Sequence, residues 1–468
     1  MFCLKPLSLC QGFIEQLDES LKTHYGRKLT LTQRSWLAIC LTGILITNSV
    51  CWQRIERMTI GGYKASALSK MFRRAKISWS TLLQSSIQMI LSRYGITHGV
   101  LALDDTANKR CKHTKRISKT HKTKDKSTGG YFNGQELVFL LLITEKVTIP
   151  VGFGFYEPQP EMSSWRKIYS TQKKNGVPKH QRAEKPTPNY EKYPTKSQIA
   201  LNLLGEFTQS FPQIKIQCIL ADALYGSSKF FCKACAQWGI QVISQVRHNQ
   251  KIKTRGKFIT IEEYFKRYSY GTCREMAIRG TANQLVTLDG ARLHLKAHGC
   301  KRSIVAIKYE GEEHYRYLVA SDLTWRLTDI ASAYTLRWLA EVFIQDWKGY
   351  EGWCQLAKQQ GDEGSRQGLI LSLLSDHCLL LHPQQKALVD NKLPALTVGS
   401  LRDLERINAV IESIQSLVSS DKANPLIHSI SEKVAEVIHL RQSAKHMSGR
   451  DLGKLGPSES LKYQKSAA

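Results

Sequence analysis

Acidic residues are in short supply here. The 468-residue chain holds 39 Asp and Glu against 67 Lys and Arg, a formal charge of +28. An imbalance of this size points to a polyanionic partner, because Lys and Arg displace condensed counterions from a phosphate backbone. A solvated basic surface of a structural protein is the competing reading. A disulfide framework is also missing. The twelve cysteines are irregularly spaced, and Cys40, Cys51, Cys218 and Cys378 lie inside apolar segments, as reduced, buried thiols do in a cytosolic protein. Cys232 and Cys235 form a C-x-x-C without a second pair at zinc spacing, so packing is favoured over metal binding. No secretory signal is evident at Met1 to Cys10, and no internal repeat is found. The uncharged run Trp36 to Trp52 is interrupted by Thr42, Gly43, Thr47, Asn48 and Ser49. It reads as a buried helix, and no membrane partner is expected.

What is present divides the chain by pattern. Residues 1–95 read as helices, with Thr32 as a cap before the apolar run and a short basic helix around Arg73 and Arg74. This stretch is expected to be a DNA-end-binding domain, although no clear helix-turn-helix signature marks it. Residues 96–246 read as three strands, a helix, a strand, a helix and a strand. Within them, Lys109 to Gly130 holds nine Lys and Arg against Asp125, among them Lys109, Arg110, Lys115 and Arg116. That charge density suits tracking of a DNA backbone. Pro158 to Pro194 is a polar, basic loop, too long for a simple connector. Residues 247–325 alternate in short stretches and read as a mainly β insertion, and 326–360 return to helix. Residues 361–447 are amphipathic helices, expected to supply a dimer contact, with a disordered tail at 448–468.

Three carboxylates stand out by placement. Asp105 follows the first strand, Asp222 ends the strand after the crossover helix, and Glu341 lies on the helix beyond the insertion. Sites in open sheets form just past strand ends. Three acids in one small volume repel one another unless neutralised, and a divalent ion with hard oxygen ligands, Mg²⁺ or Mn²⁺, resolves this. Asp104 competes with Asp105 for the first position. Strand alternation permits only one of the two to face the site and does not by itself say which.

Around Glu341 the spacing is distinctive. On an ideal helix, Tyr334, Arg337, Glu341 and Lys348 fall within an arc of roughly 60°. Leu336, Leu339, Ala340, Phe343 and Trp347 fill the opposite side. Alone, this would be a surface ion-pair ladder.

The same four residues match the Y-(2)-R-(3)-E-(6)-K signature. Together with Asp104-Asp105-Thr106 and Leu220-Ala221-Asp222-Ala223-Leu224-Tyr225-Gly226, they make residues 95–360 resemble the bacterial insertion-sequence transposases of the DDE class. The resemblance implies an α/β fold: a ribonuclease-H-like mixed sheet with helices, interrupted by a β insertion and flanked by all-α regions. It implies Asp105, Asp222 and Glu341 as a catalytic triad holding two Mg²⁺ (or Mn²⁺) ions. Tyr334, Arg337 and Lys348 would grip phosphates of the element's end, and an aromatic of the insertion, Trp325, Tyr315 or Tyr317, would stack a base. The implied activity is cut-and-paste: cleavage at terminal inverted repeats and joining of 3′-hydroxyls to target DNA. The partners would be double-stranded DNA and a second copy of the chain, with no small-molecule substrate, in a bacterial cytoplasm at the nucleoid. A cleavage-only nuclease or a domesticated DNA-binding protein is the alternative.

Overall fold

The computed structural model describes residues 5–59, 61–110, 116–125, 128–278, 281–353 and 359–417, except the side chains of 281, 282, 413, 416 and 417. The helix expected at 426–442 and the tail at 448–468 lie outside these residues.

The chain begins with five helices: α1 (Ser8–Tyr25), α2 (Leu31–Thr47), α3 (Trp52–Met58), α4 (Ala65–Arg74) and α5 (Trp79–Tyr94). Thr30, rather than Thr32, caps α2: its hydroxyl accepts from Gln33 N, and the Gln33 side chain accepts in return from Thr30 N. The run from Trp36 to Ile46 is buried on every side, so α2 is the central helix of a bundle. Among the described residues, no single helix is long and apolar enough to cross a membrane.

Next come β1 (His98–Lys109), β2 (His121–Lys124), β3 (Tyr131–Ile143) and β4 (Thr148–Tyr156), then α6 (Pro160–Lys174), α7 (Lys196–Ser210), β5 (Lys215–Ala221), α8 (Ser228–Trp238) and β6 (Gln241–Val246). β3 lies antiparallel to both β1 and β4, and β5 lies parallel to β1 and to β6. The order β4-β3-β1-β5-β6, with this mixture of directions, is a ribonuclease-H-like core. Pro150 faces Leu141 where the β3–β4 register shifts, a bulge that accommodates the missing N–H. Helix α7 lies close over β4. A Cβ on Gly154 would stand 2.4 Å from Ile199 Cγ2, so glycine sets the approach.

The sheet does not stop at the core. β7 (Lys251–Thr254), β8 (Lys257–Thr260), α9 (Ile261–Tyr268), β9 (Thr272–Ile278), β10 (Thr281–Leu295), β11 (Cys300–Tyr309) and β12 (Arg316–Ala320) follow, and β12 pairs antiparallel with β6. The largely β insertion thus continues the core sheet edge to edge. Helices α10 (Leu327–Thr335), α11 (Trp338–Tyr350), α12 (Gly361–Leu380), α13 (Pro383–Asp390) and α14 (Val398–Leu417) close the described chain. α12 packs on α2 and α5, and α14 on α2 and α11, so the first and last helices form one layer. Buried polar contacts lock it: Tyr94 OH donates to Leu380 O at 2.5 Å, Trp347 Nε1 to Ser372 Oγ at 2.9 Å, and His377 bridges Ser86 Oγ and Pro150 O.

Further expectations need correcting, and the first is that 158–194, expected as a loop, holds α6. β1 does not end before Asp105 but runs to Lys109, because β3 pairs with it from Val100 to Lys109, with Asp104 opposite Phe139 and Asp105 opposite Val138. The single helix expected at 328–348 is broken at Leu336 and Arg337. There the bonds Arg337 N to Tyr334 O and Ala340 N to Arg337 O, at 3.1 and 2.9 Å, span three residues instead of four.

Candidate active site

β1 and β5 hydrogen-bond only as far as Ala102 and Leu220. Beyond that point β1 keeps β3 as a partner while β5 ends, and the crevice between them is where the acids gather. Carboxylate oxygens of Asp104, Asp105 and Asp222 all lie within 4.8 Å of one another. Asp222 is set by a turn in which its Oδ1 accepts from Leu224 N at 2.9 Å, while Ser244 Oγ donates to Asp222 O at 2.6 Å. Gly226 ends this turn hard against β6, since a Cβ there would meet Gln245 O at 2.5 Å. The Tyr225 ring is fully buried beside the acids.

Alternation along β1 gives the two neighbouring aspartates different surroundings. Phe139, opposite Asp104, packs edge-on against Phe343 and Trp347 of α11. Asp104 shares that face and accepts from Arg337 Nη1 at 2.9 Å through Oδ2, with Asp105 N donating to its Oδ1. Burial pushes the Asp104 carboxyl up to about 6; Arg337 opposes the rise, and the neighbouring Asp222 and Asp105 add to it. Asp105 turns toward α7, where Lys196 Nζ stands 2.6 Å from its Oδ2 and 2.7 Å from Glu136 Oε2.

Arg337 also pairs with Glu341 Oε1, so one guanidinium bridges Asp104 and Glu341. Glu341 itself is half exposed and stands outside the cluster of three aspartates. Tyr334 is half-buried with the Arg337 guanidinium 5.9 Å from its ring centre. Burial lifts its hydroxyl to about 12, with Arg337 opposing and Asp222 assisting, so it is a neutral donor at physiological pH. Lys348 Nζ donates to Ala107 O at 2.7 Å, tying α11 to β1.

Lys196, Glu136 and His121 form a network that no sequence signal announced, beyond the capping box of Thr195 and Gln198 that fixes the start of α7. Glu136 sits between His121 Nε2 at 3.6 Å and Lys196. Burial raises its carboxyl, but the His121 hydrogen bond and the Lys196 charge outweigh that and hold it at about 2. A depressed carboxyl contributes stability above its ordinary pKa and loses it as pH falls through the folded value. Glu136→Gln is therefore expected to cost about 3 kcal/mol near neutral pH. In denaturant titrations the gap between the two proteins should close as pH falls from 4.5 toward 2.

The remaining candidates are scattered. Arg73, Arg74 and Arg116 are exposed. Lys109 is exposed and pairs with Asp125 at 3.1 Å. Arg110 is half-buried, donating to Gln135 Oε1 and lying 4.6 Å over the Trp353 ring, so it serves packing. Lys115 lies outside the described residues. Tyr317 is buried against Phe265 and shows no face to a base, whereas Tyr315 and Trp325 are half-buried.

Three carboxylates this close, one of them driven upward in pKa, are a donor set suited to a hard divalent cation. Residues 24–285, more than half of the chain, match the family described as DDE superfamily endonuclease. That stretch carries Asp104, Asp105 and Asp222 and stops before α10. Among solved structures, the chain is similar to piggyBac transposase in its synaptic complex with hairpin DNA, at 9% identity over 92% of this chain and 85% of that one, with a TM-score of 0.43. It is also similar to the Drosophila P element transposase in its strand transfer complex, at 10% identity over 97% and 92%, with a TM-score of 0.22. No curated protein matches the chain. The acidic crevice and the family match lead to one conclusion: the chain belongs to the DDE superfamily endonucleases, enzymes that cut DNA with divalent metal.

Proposed function

We propose that the chain is a cut-and-paste transposase of an insertion sequence, which binds terminal inverted repeats, cuts there and joins the freed 3′-hydroxyls to target DNA. The observation that carries this reading is the meeting of Asp104, Asp105 and Asp222 in one crevice, with the Arg337–Glu341 pair reaching it from α11. Asp104, Asp222 and Glu341 would hold two Mg²⁺ or Mn²⁺ ions. Bound there, the ions supply activation of water or a 3′-hydroxyl and stabilisation of the leaving oxygen at phosphorus. This gives Asp104 the part that the resemblance first gave to Asp105. Asp104 pairs with Arg337 on the side of α11, which carries Glu341, whereas Asp105 pairs with Lys196 on the side of α7.

The chain's own groups then do the following. Arg337 leaves the two carboxylates it bridges and grips a substrate phosphate bidentately, which frees Glu341 to turn toward the aspartates. Tyr334 donates a hydrogen bond from its phenol to a phosphate oxygen, and Lys348 of α11 contributes a point charge beside Ala107 of β1. Asp105 and Lys196 brace β1 against α7. Arg73, Arg74, Lys109 and Arg116 are exposed cations for the DNA backbone, and Trp325 or Tyr315 supplies a stacking face. Residues 1–95 bind the element's end, 96–246 and 326–360 form the catalytic core around the 247–325 insertion, and the helices beyond 361 contribute to a homodimer on DNA. The place of action is the bacterial nucleoid. Purified protein, a labelled duplex carrying the element's end, a supercoiled target plasmid and Mg²⁺ test the reading. Joined product is expected, and cleavage with no joining would favour a cleavage-only nuclease instead.

A further inference from the structure

Residues 157–195, between β4 and α7, take no part in the acidic site. α6 buries none of its residues, yet the segment is fastened together. Trp165 Nε1 donates to Ala183 O at 2.8 Å, and Ala183 N donates to Gln172 Oε1 at 2.8 Å. Gln159 holds the returning chain at both ends, through Nε2 to Thr187 O at 3.1 Å and from Asn189 N to Oε1 at 3.0 Å. Between helix and return lies a cleft of about 160 Å³, walled by Tyr156, Tyr190, Tyr193, Arg166, Lys185 and Lys229, with Glu157 its one acidic residue. Among the described residues, none of its three cations forms an ion pair.

The composition of this wall selects a class of occupant. Three phenol rings line the cleft, with Lys196 over the Tyr156 ring and Lys192 over the Tyr193 ring, and three cations offer charge to an anion attached to an aromatic ring. A cavity of about 150 Å³ holds one benzene ring, so this volume suits a single base and falls short of the roughly 300 Å³ and above typical of drug-sized ligands. The place is equally telling. Tyr156 lies beneath Lys196 Nζ, 5.2 Å from ring centre to nitrogen, and Lys196 touches Asp105. Lys229 is on α8, which follows the Asp222 turn. The cleft is therefore linked to the acidic crevice through Lys196, which touches Tyr156 on one side and Asp105 on the other.

We propose that this cleft is a nucleotide subsite, which takes one unpaired nucleotide of the DNA strand beside the cut phosphate. The base lies against the tyrosines, and its phosphate is met by Arg166, Lys185 and Lys229. The position beside the cut rests on the DNA-cleaving reading of the acids; the subsite itself rests on the cleft. Stacking on a tyrosine accepts any base, so the subsite holds the strand open without reading sequence.

The test uses the full chain in EDTA, where no cleavage occurs. A short fluorescent oligothymidylate carrying 5-iodouracil is the probe, read by anisotropy and then by photo-crosslinking with peptide mapping. Adducts are expected on Tyr156, Tyr190 or Tyr193. Tyr190→Ala, at an exposed ring, is expected to weaken binding by about tenfold, and Arg166→Ala should weaken it measurably. Lys167→Ala, on the same helix outside the cleft, should change binding by less than about twofold. Adducts found only outside residues 156–195 and Lys229, or wild-type affinity in both Tyr190→Ala and Arg166→Ala, would overturn the proposal. If the adducts form in the cleft but the protein fails to cut an end duplex, the cleavage reading is lost and the subsite stands.

Discussion

Asp222→Asn and Asp104→Asn are each expected to lower metal-dependent DNA cleavage by about a thousandfold or more, as removal of roughly 4 kcal/mol of transition-state stabilisation requires. Both carboxylates face the crevice where β1 and β5 part, and neither amide would hold a divalent ion in place of the carboxylate. Affinity for DNA in EDTA should stay level or rise, because one negative charge beside the phosphates is gone. Asp105→Asn is expected to do less. Its carboxylate is engaged by Lys196 on the α7 side, so its loss disturbs the bracing of β1. Gel-based cleavage rates for the three variants decide the matter, and equal loss in Asp104→Asn and Asp105→Asn would return the two residues to equal standing. The pH profile carries the same signature. With the Asp104 carboxyl at about 6, protons compete with metal below that pH, so cleavage at limiting Mg²⁺ should fall as pH drops through 6 and recover with added metal.

Arg337→Ala has the second large expected effect, on stability as well as rate. Its guanidinium is the cation shared by Asp104 and Glu341, and both it and Asp104 are mostly shielded from solvent. Removing one partner of a shielded pair leaves the other uncompensated, at a cost of about 3 kcal/mol or more. In a chain of this size that lowers Tm by about 4 °C. A divalent ion can neutralise the stranded carboxylate, so Mg²⁺ should raise the Tm of Arg337→Ala more than that of the wild type. Arg337→Lys should recover part of the stability but not the cleavage rate, since an ammonium cannot grip a phosphate through two parallel bonds. Thermal scans with and without metal would contradict this role if variant and wild type shifted alike.

The sequence showed some of these features plainly and others not at all. Asp222 was readable because an apolar strand runs into it, and the core strands were readable because most are continuous apolar runs. The true length of β1 was hidden. Thr106 and Asn108 are buried polar residues, and only the pairing with β3 explains why they belong to a strand. The break at Leu336 and Arg337 carries no Gly or Pro, so the row of four polar residues looked like one uninterrupted helix face. α6 has no buried side, which removes the periodicity that would have revealed a helix in a stretch read as loop. Lys196 and Asp105 lie 91 residues apart in sequence, and only the fold brings them together.

Anomalous diffraction from crystals grown with Mn²⁺ and an end duplex tests most directly whether these acids form a metal site. Manganese coordinated by Asp104 and Asp222, with Glu341 turned in from α11 and Arg337 moved onto a phosphate, is the expected result. Manganese bound elsewhere, or a crevice in which Arg337 still bridges Asp104 and Glu341 in the presence of both metal and DNA, would contradict it.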